Sequence, residues 1–320
     1  MQIFRKIEDV PSSFGPSIVS VGNFDGVHRA HLHVLREIVQ RSRKSAAKSV
    51  AVTFEPHPMR ILRPESGLKL LTPAAERIRL LERTGIDAVL LLPFTREMSL
   101  MTPREFVQQV LCERLKAIEV HEGYNFRFGH KAAGNVEALI QLGHELGFEV
   151  AVYPEMRVRG ESVSSTRIRE LVQIGQVSRA RCLLGRPFSV RSTLAKGRGY
   201  GAKFTVPTIN LGDYEELVPR DGVYITQTRV ADECFDSITN VGRRPTFGAE
   251  SFAIESHLLN FHPLEVTADT NVEIWFLSRV RDEIKFDAVE DLKKQIGKDI
   301  RRATRYFRLR QLARAVQAGL

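Results

Sequence analysis

The chain has 320 residues, of which 43% are apolar, and its formal net charge is +9. The length favours two domains, and the apolar fraction suffices for more than one core, which excludes a largely disordered protein. Its three cysteines, Cys112, Cys182 and Cys234, are far apart and odd in number, which argues against a disulfide framework or a zinc site and indicates a reducing compartment. No apolar run approaches the roughly 18 residues of a membrane span, and the first residues lack the apolar core of a signal peptide, so we expect a cytoplasmic protein without a membrane partner.

The positive charge raises the question of nucleic acid. A chain this basic suits small anionic molecules as well as polynucleotides. The sequence has no zinc-finger spacing, no RNA-stacking motif and no lysine-rich tail. We therefore expect small anionic ligands and no nucleic acid, while the choice between a monomer and a homo-oligomer stays open.

The first organised stretch, residues 18–39, predicts a buried strand, a glycine-punctuated loop and a helix. Gly22 and Gly26 open the loop, and His28 and His31 lie where it enters the helix. The free N–H groups and the positive dipole end of that helix favour an anion such as phosphate, and two imidazoles three residues apart can add donors to it. The alternative is a plain strand-to-helix turn with incidental histidines.

Beyond this stretch, strand and helix patterns alternate up to residue 153. Helices begin at Thr72-Pro73 and at Thr102-Pro103. The second pair has the spacing of a capping box with Glu105, and its helix is predicted to run to about Leu115. Repeated alternation of this kind predicts a parallel, doubly wound sheet, that is, a Rossmann-like α/β domain. The predicted strands are 18–21, 49–54, 86–92, 118–121 and 148–153.

Two loops of this domain carry candidate ligand contacts. Residues 55–58 follow the second strand at the carboxyl edge, where open α/β sheets bind ligands, and His57 there either faces a nucleotide or is a solvated loop histidine. The aromatic loop 123–135 can hold a flat ring while Asn125 hydrogen-bonds to it. The alternative for its two phenylalanines, Phe126 and Phe128, is an ordinary place in the core, which we accept for one of them.

Hydroxyl groups begin the next predicted helix, at 167–174. Ser164 and Thr166 can cap its free N–H groups, and Arg169, one turn on, reaches the same place. Hydroxyls together with a guanidinium form a clamp for a triphosphate, although most such strings are plain helix caps.

The pattern changes after Gly185-Arg186-Pro187, which we interpret as the linker between domains at 1–185 and 186–320. From Phe188 onward, short alternating runs separated by Gly, Pro and Asp turns predict a small antiparallel sheet or barrel. A long basic helix follows at about 288–315. The predicted strands are 190–194, 223–229, 236–241, 252–261 and 272–277.

The string Gly-Asn-Phe-Asp-Gly-Val-His-Arg-Ala-His at 22–31 resembles the nucleotidyltransferase motif of the bifunctional riboflavin kinase/FMN adenylyltransferases, the bacterial FAD synthetases. Ala30 replaces the usual glycine, which costs free energy if the backbone there has positive φ and nothing if the residue lies in the first helical turn. The aromatic loop and the Ser-Ser-Thr-x-x-Arg string resemble two further motifs of the same domain. The resemblance implies catalytic roles for His28, His31 and Arg169, and nucleotide binding by Gly22, Phe24, Asp25, Gly26, Asn125, Ser164 and Thr166.

The second domain resembles the riboflavin kinase part of these proteins. The glycine-rich turn at 196–201 and the Pro-Thr-Ile-Asn string at 207–210 match its first motif, in which Ala202, Phe204, Thr205 and Val206 depart from the usual residues. Residues 240–247 and the strand around Glu255 match two later motifs. The resemblance implies substrate binding by Gly197, Gly201 and Pro207, a Mg²⁺ site at the oxygen atoms of Thr208 and Asn210, and Glu255 as the base that takes the proton from the riboflavin 5′-hydroxyl.

The activity implied by the resemblance is the synthesis of FAD in two steps. ATP phosphorylates riboflavin to FMN, and a second ATP adenylylates FMN to FAD with release of pyrophosphate, with Mg²⁺ as cofactor. The departures at 202–206 motivate an alternative, an FMN adenylyltransferase whose second domain only binds flavin. A third possibility is a flavin-dependent regulator without enzyme activity, against which the intact His28 and His31 argue.

Overall fold

The computed structural model describes residues 1–195, 208–246, 249–267, 269–284, 286 and 288–318. Contacts divide the chain into two compact units, Met1–Arg167 and Ile168–Leu320. The expected domain boundary at residue 185 falls inside the second unit and stays a prediction. Within the described ranges, no helix is both long and apolar enough to cross a membrane.

A six-stranded sheet forms the centre of the first unit, and every neighbouring pair of its strands is parallel. Its strands carry runs of buried apolar residues, as expected where both faces of a parallel sheet are covered. The strands are β1 (Gln2–Phe4), β2 (Ser17–Val21), β3 (Lys48–Glu55), β4 (Ala88–Pro93), β5 (Ala117–Gly123) and β6 (Glu149–Tyr153).

Helices cover both faces of this sheet. They are α1 (Arg29–Lys44), α2 (Pro58–Leu62), α3 (Ala74–Glu82), α4 (Pro103–Phe106) and α5 (Val136–Leu146). Apolar side chains of α1 and α3 pack with Ile18 and Ala51 on one face, whereas those of α4 and α5 pack with Val19 and Val52 on the other. This division follows from the alternation of side chains along each strand.

The helix predicted for 102–115 begins at its expected capping box, in which the Thr102 hydroxyl accepts the Glu105 N–H. It changes after α4 into a π-helix over Val107–Arg114. The Leu115 N–H then donates to the Val110 carbonyl, five residues back, instead of four. The helix predicted from Thr102 to about Leu115 is therefore present, and its second part is wound as a π-helix.

The strand order of the sheet is β1-β4-β3-β2-β5-β6. From β2 the chain moves outward through β3 and β4, then returns to the other side of β2 with β5 and β6. The order thus reverses between β2 and β5. Open α/β sheets bind ligands at the carboxyl ends of the strands that flank such a reversal. The loops that follow β2 and β5 carry two of the motifs singled out in the sequence.

A hairpin, β7 (Arg157–Val158) and β8 (Glu161–Ser162), precedes two helices, α6 (Ser165–Gln173) and α7 (Val177–Leu184). The second unit then forms an antiparallel sheet whose strands, in part, run longer than predicted. The strands are β9 (Phe188–Thr193), β10 (Thr208–Asn210), β11 (Gly222–Val230), β12 (Glu233–Thr246), β13 (Ala249–Leu258) and β14 (Asn271–Arg281).

This second sheet closes into a barrel. Its strand order is β10-β13-β12-β11-β14-β9, and Leu194, directly after β9, bridges to Leu211, directly after β10. The Ala195 N–H donates to the Asn210 carbonyl at 3.0 Å, which adds to the closure. The predicted combination of a parallel α/β domain with a small antiparallel barrel is confirmed.

The long C-terminal helix, α8 (Val289–Ala318), packs on the outside of the barrel. Ala303 and Phe307 of α8 lie in one apolar cluster with side chains of β11, β12 and β14. Arg281 of β14 donates to the Asp299 carboxylate of α8 from Nε at 3.0 Å and from a terminal nitrogen at 2.8 Å. The helix predicted for 288–315 is confirmed.

Candidate functional site

The N-terminus of α1 carries the two histidines of the first motif. His28 is the N-cap residue, and its Nδ1 accepts the His31 N–H at 3.4 Å. The two imidazole rings stack, with centroids 3.6 Å apart and planes 16° from parallel, and the Phe24 ring meets His31 edge-on. A neutral His28 with this acceptor carries its proton on Nε2, which is therefore a donor. Both rings thus lie at the helix end that favours anions.

The loop before α1 is held by a buried carboxylate. Asp25 is wholly buried, and its two oxygens accept the N–H groups of Leu71 at 3.1 Å and Thr72 at 3.0 Å. The Thr72 hydroxyl in turn accepts the Gly26 N–H at 3.0 Å. We therefore expect Asp25 to support nucleotide binding indirectly, by holding the loop in its conformation.

The same loop uses left-handed backbone at several positions. Gly26 has φ 83°, which glycine adopts without cost, while Phe24 and Val27 reach φ 48° and 37°. The Phe24 side chain is buried in the core that α1 and α3 share, so packing offsets the backbone strain. A side chain at Gly22 would meet the Phe24 ring, since a Cβ there would lie 3.4 Å from it.

A buried arginine links the ends of β2 and β3. Arg77 of α3 has no exposed side-chain surface, and it donates to the Asn23 carbonyl at 3.3 Å, the Phe54 carbonyl at 2.8 Å and the Glu55 carboxylate at 2.8 Å. Burial lowers the pKa of this guanidinium, and the nearby carboxylates of Glu55 and Asp25 oppose the shift. Arg77 therefore fixes the distance between the loop after β2 and the end of β3, at the carboxyl edge of the sheet.

His57 is buried, so its interpretation as a solvated loop histidine was wrong. It is the N-cap of α2, where its Nδ1 accepts the Met59 N–H at 3.2 Å. In the aromatic loop, Phe128 is buried and stacks on the half-buried Phe126 at 5.2 Å. Asn125 is exposed and accessible to a ligand.

The start of α6 lies beside the first motif. The Ser165 hydroxyl donates to the Asp25 carbonyl at 2.8 Å, and the Ser164 hydroxyl accepts the Arg167 N–H at 3.2 Å. Thr166 is exposed. The structure thus brings together the loop at 22–28 and the hydroxyl string. Arg169 lies further along α6, in the second unit, and its expected place beside the histidines stays a prediction.

In the second unit, Glu255 occupies a central row of the barrel wall. It pairs in register with Asn210 of β10 and with Asn240 of β12. Directly paired residues point to the same face of an antiparallel sheet, so the three side chains share a face. The neighbouring Ser256 is wholly buried and bonds to the Thr228 hydroxyl at 2.8 Å, so Glu255 faces the outside of the barrel.

A cavity opens one row away on that outer face. Thr208 pairs with His257, and a cavity of about 380 Å³ lies between this part of the sheet and α8. Its walls include His257 and Leu259 on the sheet side and Ile300 and Phe307 on the helix side. Burial lowers the pKa of His257, so its ring stays neutral to lower pH than an exposed histidine. The walls also include the acidic Asp236 and the basic Arg308, so the cavity suits a partly apolar group with polar edges.

Two protein families match the two parts of the chain. The model described as FAD synthetase matches residues 10–167, and the model described as riboflavin kinase matches residues 184–307. The bifunctional riboflavin kinase/FMN adenylyltransferase of Buchnera aphidicola is 30% identical over 97% of this chain and 100% of its own length. The chain belongs to the bifunctional riboflavin kinase/FMN adenylyltransferase family.

Other members of this family are similar over almost the same extent. The Escherichia coli bifunctional riboflavin kinase/FMN adenylyltransferase is 28% identical over 91% of this chain and 93% of its own length. Among solved structures, a Streptococcus pneumoniae protein described as a macrolide-efflux protein has a TM-score of 0.83 and 28% identity, and the match covers 93% of this chain and 97% of that one.

The departure of this chain from the family motif at position 30 is explained by the helix. Ala30 is the second residue of α1, and it is not among the residues with positive φ. Its methyl group therefore requires no strained backbone. The departures in the kinase motif, at 202–206, lie outside the described residues, as do the predicted binding residues Gly197, Gly201 and Pro207.

Sequence reasoning missed the residues that hold the family motif in place. Thr72 was noted only as a helix start, although its backbone and hydroxyl bind Asp25 and Gly26. Arg77 was not singled out. The sequence did indicate a buried arginine, because Arg77 lies one turn before the apolar Leu80 and Leu81 on the same side of α3. A charged residue on an apolar helix face has to find buried partners.

Proposed function

We infer that the chain makes FAD from riboflavin in two ATP-dependent steps, each with its own site. The second unit transfers the γ-phosphoryl group of ATP to the riboflavin 5′-hydroxyl and yields FMN and ADP. The first unit transfers the adenylyl group of a second ATP to the FMN phosphate and yields FAD and pyrophosphate. The family assignment of both parts of the chain carries this conclusion.

For adenylyl transfer, an FMN phosphate oxygen attacks the α-phosphorus of ATP, and the bond to the pyrophosphate breaks. The nucleophile is already anionic, so the step needs no general base. It needs positioning and stabilisation of charge on the phosphates. The stacked His28 and His31 at the N-terminus of α1, with Ser164 and Ser165 nearby, support a phosphate site there. We assign charge stabilisation to the histidines and to Arg169.

The remaining assignments in the first unit concern nucleotide binding. Gly22 and Gly26 let the backbone of the loop approach a ligand, and the exposed Asn125 and Thr166 are open to it. Phe24 and Asp25 support this loop from the buried side. We propose that these residues hold the ATP and FMN over the gap between β2 and β5.

For phosphoryl transfer, we propose Glu255 as the base. Its register between Asn210 and Asn240 supports a role at a substrate hydroxyl on the outer face of the barrel. The neutral oxygens of Thr208 and Asn210 suit Mg²⁺, a hard cation that binds with few protein ligands and the phosphates of its substrate. When bound, Mg²⁺ neutralises charge on the γ-phosphate. The adjacent cavity against α8 suits the flavin ring.

The alternative is an FMN adenylyltransferase with a second unit that only binds flavin. It is motivated by the departures at 202–206. In either case the substrates are small molecules, and the expectations of cytoplasmic location and of no nucleic-acid or membrane partner stay predictions.

Product chromatography with purified protein and Mg·ATP tests the proposal. One reaction receives riboflavin and another receives FMN. We expect FAD from both. FAD from FMN alone would favour the adenylyltransferase alternative, and FAD from neither would contradict the proposed function.

A further inference from the structure

A carboxyl group without a role in either reaction lies beneath the first site. Glu122 is the last residue but one of β5, and it is 4% exposed. Its Oε1 accepts the Val21 N–H at 2.5 Å. Val21 is the last residue of β2, directly before the loop at 22–28 that leads to His28 and His31, which we call the histidine loop. Glu122 directly precedes the aromatic loop. Glu122 therefore joins the two strands between which the sheet order reverses.

This contact replaces a bond of the backbone ladder. β2 and β5 pair in register only as far as Val19 and Val120, whereas β2 continues beside β3 to Val21. The Gly22 N–H donates to Val52 of β3, so the N–H of the preceding residue, Val21, faces β5. No backbone carbonyl of β5 receives it, and the Glu122 carboxyl does so instead. β2 and β5 thus stop pairing before their carboxyl ends, and the Glu122 side chain holds those ends at a fixed distance.

Burial acts against a charge on the carboxyl in this position. Burial raises the pKa of Glu122 well above its usual range, and the Val21 N–H opposes this shift only in part. A buried carboxylate would need a charged partner or several donors to stay ionised. A neutral group also avoids a negative charge beneath a site that receives a polyphosphate. The glutamine amide has nearly the same shape, can accept the Val21 N–H through its carbonyl oxygen, and carries no charge.

We propose that Glu122 is a positioning residue for adenylyl transfer, which sets the distance between the histidine loop and the aromatic loop through the Val21 N–H. This inference rests on the proposed function of the first unit. Loss of the bond lets β2 and β5 move apart at their ends. Displacement of catalytic groups by about 1 Å can reduce a rate by about a hundredfold.

Two variants of the full-length chain test the proposal. Glu122→Gln keeps the acceptor, and Glu122→Met keeps an unbranched side chain of similar length but has no acceptor for the amide. We expect Glu122→Met to lower kcat for FAD formation from FMN by about tenfold or more, with a smaller change in KM for ATP. Glu122→Gln restores kcat to within about twofold, and riboflavin phosphorylation stays unchanged in both variants.

Hydrogen exchange of the peptide that contains Val21 provides a readout independent of activity. We expect faster exchange of the Val21 amide in Glu122→Met than in the wild type, and wild-type exchange in Glu122→Gln. Wild-type kcat in Glu122→Met would overturn the proposal, and so would equal losses in both variants. If the wild type itself makes no FAD from FMN, the proposed function fails instead, and the exchange experiment still decides whether Glu122 holds β2.

Discussion

At the scale of single residues, the stacked imidazoles of His28 and His31 are the sharpest test of the first site. We expect His31→Ala to lower FAD formation from FMN by about a hundredfold or more, since it removes a donor at the phosphates. FMN formation from riboflavin stays at the wild-type rate. His33→Ala is the matched control, because His33 is exposed on the same helix. Equal loss of both activities in His31→Ala, measured by product chromatography, would contradict the assignment of the two sites.

Glu255 offers the corresponding test in the barrel. Glu255→Gln keeps the size of the side chain but removes the base, so we expect riboflavin phosphorylation to fall by about a hundredfold or more. Adenylylation of added FMN stays unchanged. Glu265→Gln, an exposed carboxylate of the same unit, is the control. A Glu255→Gln variant with normal FMN formation would remove Glu255 from the mechanism.

Glu122 predicts a pH dependence of stability. Its pKa is raised in the folded chain, so between the ordinary pKa of glutamate and the raised value the folded state binds a proton that the unfolded state has lost. The contribution of Glu122 to the unfolding free energy therefore falls as the pH rises through this window. Glu122→Gln has no such group. We expect urea denaturation to show that its stability relative to the wild type increases with pH from about 4.5, and a constant difference would contradict this.

At the scale of elements, one alanine in α1 and another just after it respond in opposite ways to replacement by glycine. Ala30 is helical, whereas Ala46, just after the helix, has φ 50°. Glycine in a helix lowers stability by up to about 1 kcal/mol relative to alanine. At a position with left-handed backbone, glycine removes a strain of roughly 1 kcal/mol. We expect Ala30→Gly to lower and Ala46→Gly to raise the melting temperature. FAD formation in Ala30→Gly stays within about twofold of the wild type, and a marked gain would mean that the family glycine has a role in catalysis.

Periodicity and turn residues were enough to predict most elements, because they are local signals. The strand at 49–54 and the capping box at Thr102 were both correct. The π-helix after Phe106 has no such signal. The contacts that hold the histidine loop were also beyond prediction, since Asp25 meets Thr72 across 47 residues of sequence. Pairings of that kind become visible only when the fold brings the two loops together.

The same limit applies to the site. The motifs predicted that residues 22–31 and 164–166 belong together, and the bond from Ser165 to Asp25 joins them. The resemblance proposed Glu255 and Asn210 for one site, and the barrel register makes them neighbours. Neither periodicity nor motif spacing predicts the hydrogen-bond partners of Glu122 or Arg77. Those partners come from distant parts of the sequence and are known only once the fold is known.

At the scale of the whole molecule, the FAD synthetase and riboflavin kinase families match separate parts of the chain, so the chain provides an internal control for every variant. This separation also raises the question of how FMN passes from the kinase to the adenylyltransferase. His31→Ala retains the first reaction, and Glu255→Gln retains the second. Neither variant alone is expected to convert riboflavin into FAD at an appreciable rate.

Mixing the two variants with riboflavin and Mg·ATP tests whether FMN is released. Because we assign the two reactions to separate parts of the chain, we expect FMN to leave the His31→Ala protein and to bind the Glu255→Gln protein. FAD then forms after a lag in which free FMN accumulates, and the lag shortens as the concentration of the Glu255→Gln protein rises. A time course by chromatography measures both flavins. If the mixture makes no FAD while each variant performs its own step on added substrate, FMN reaches the second site only within one molecule.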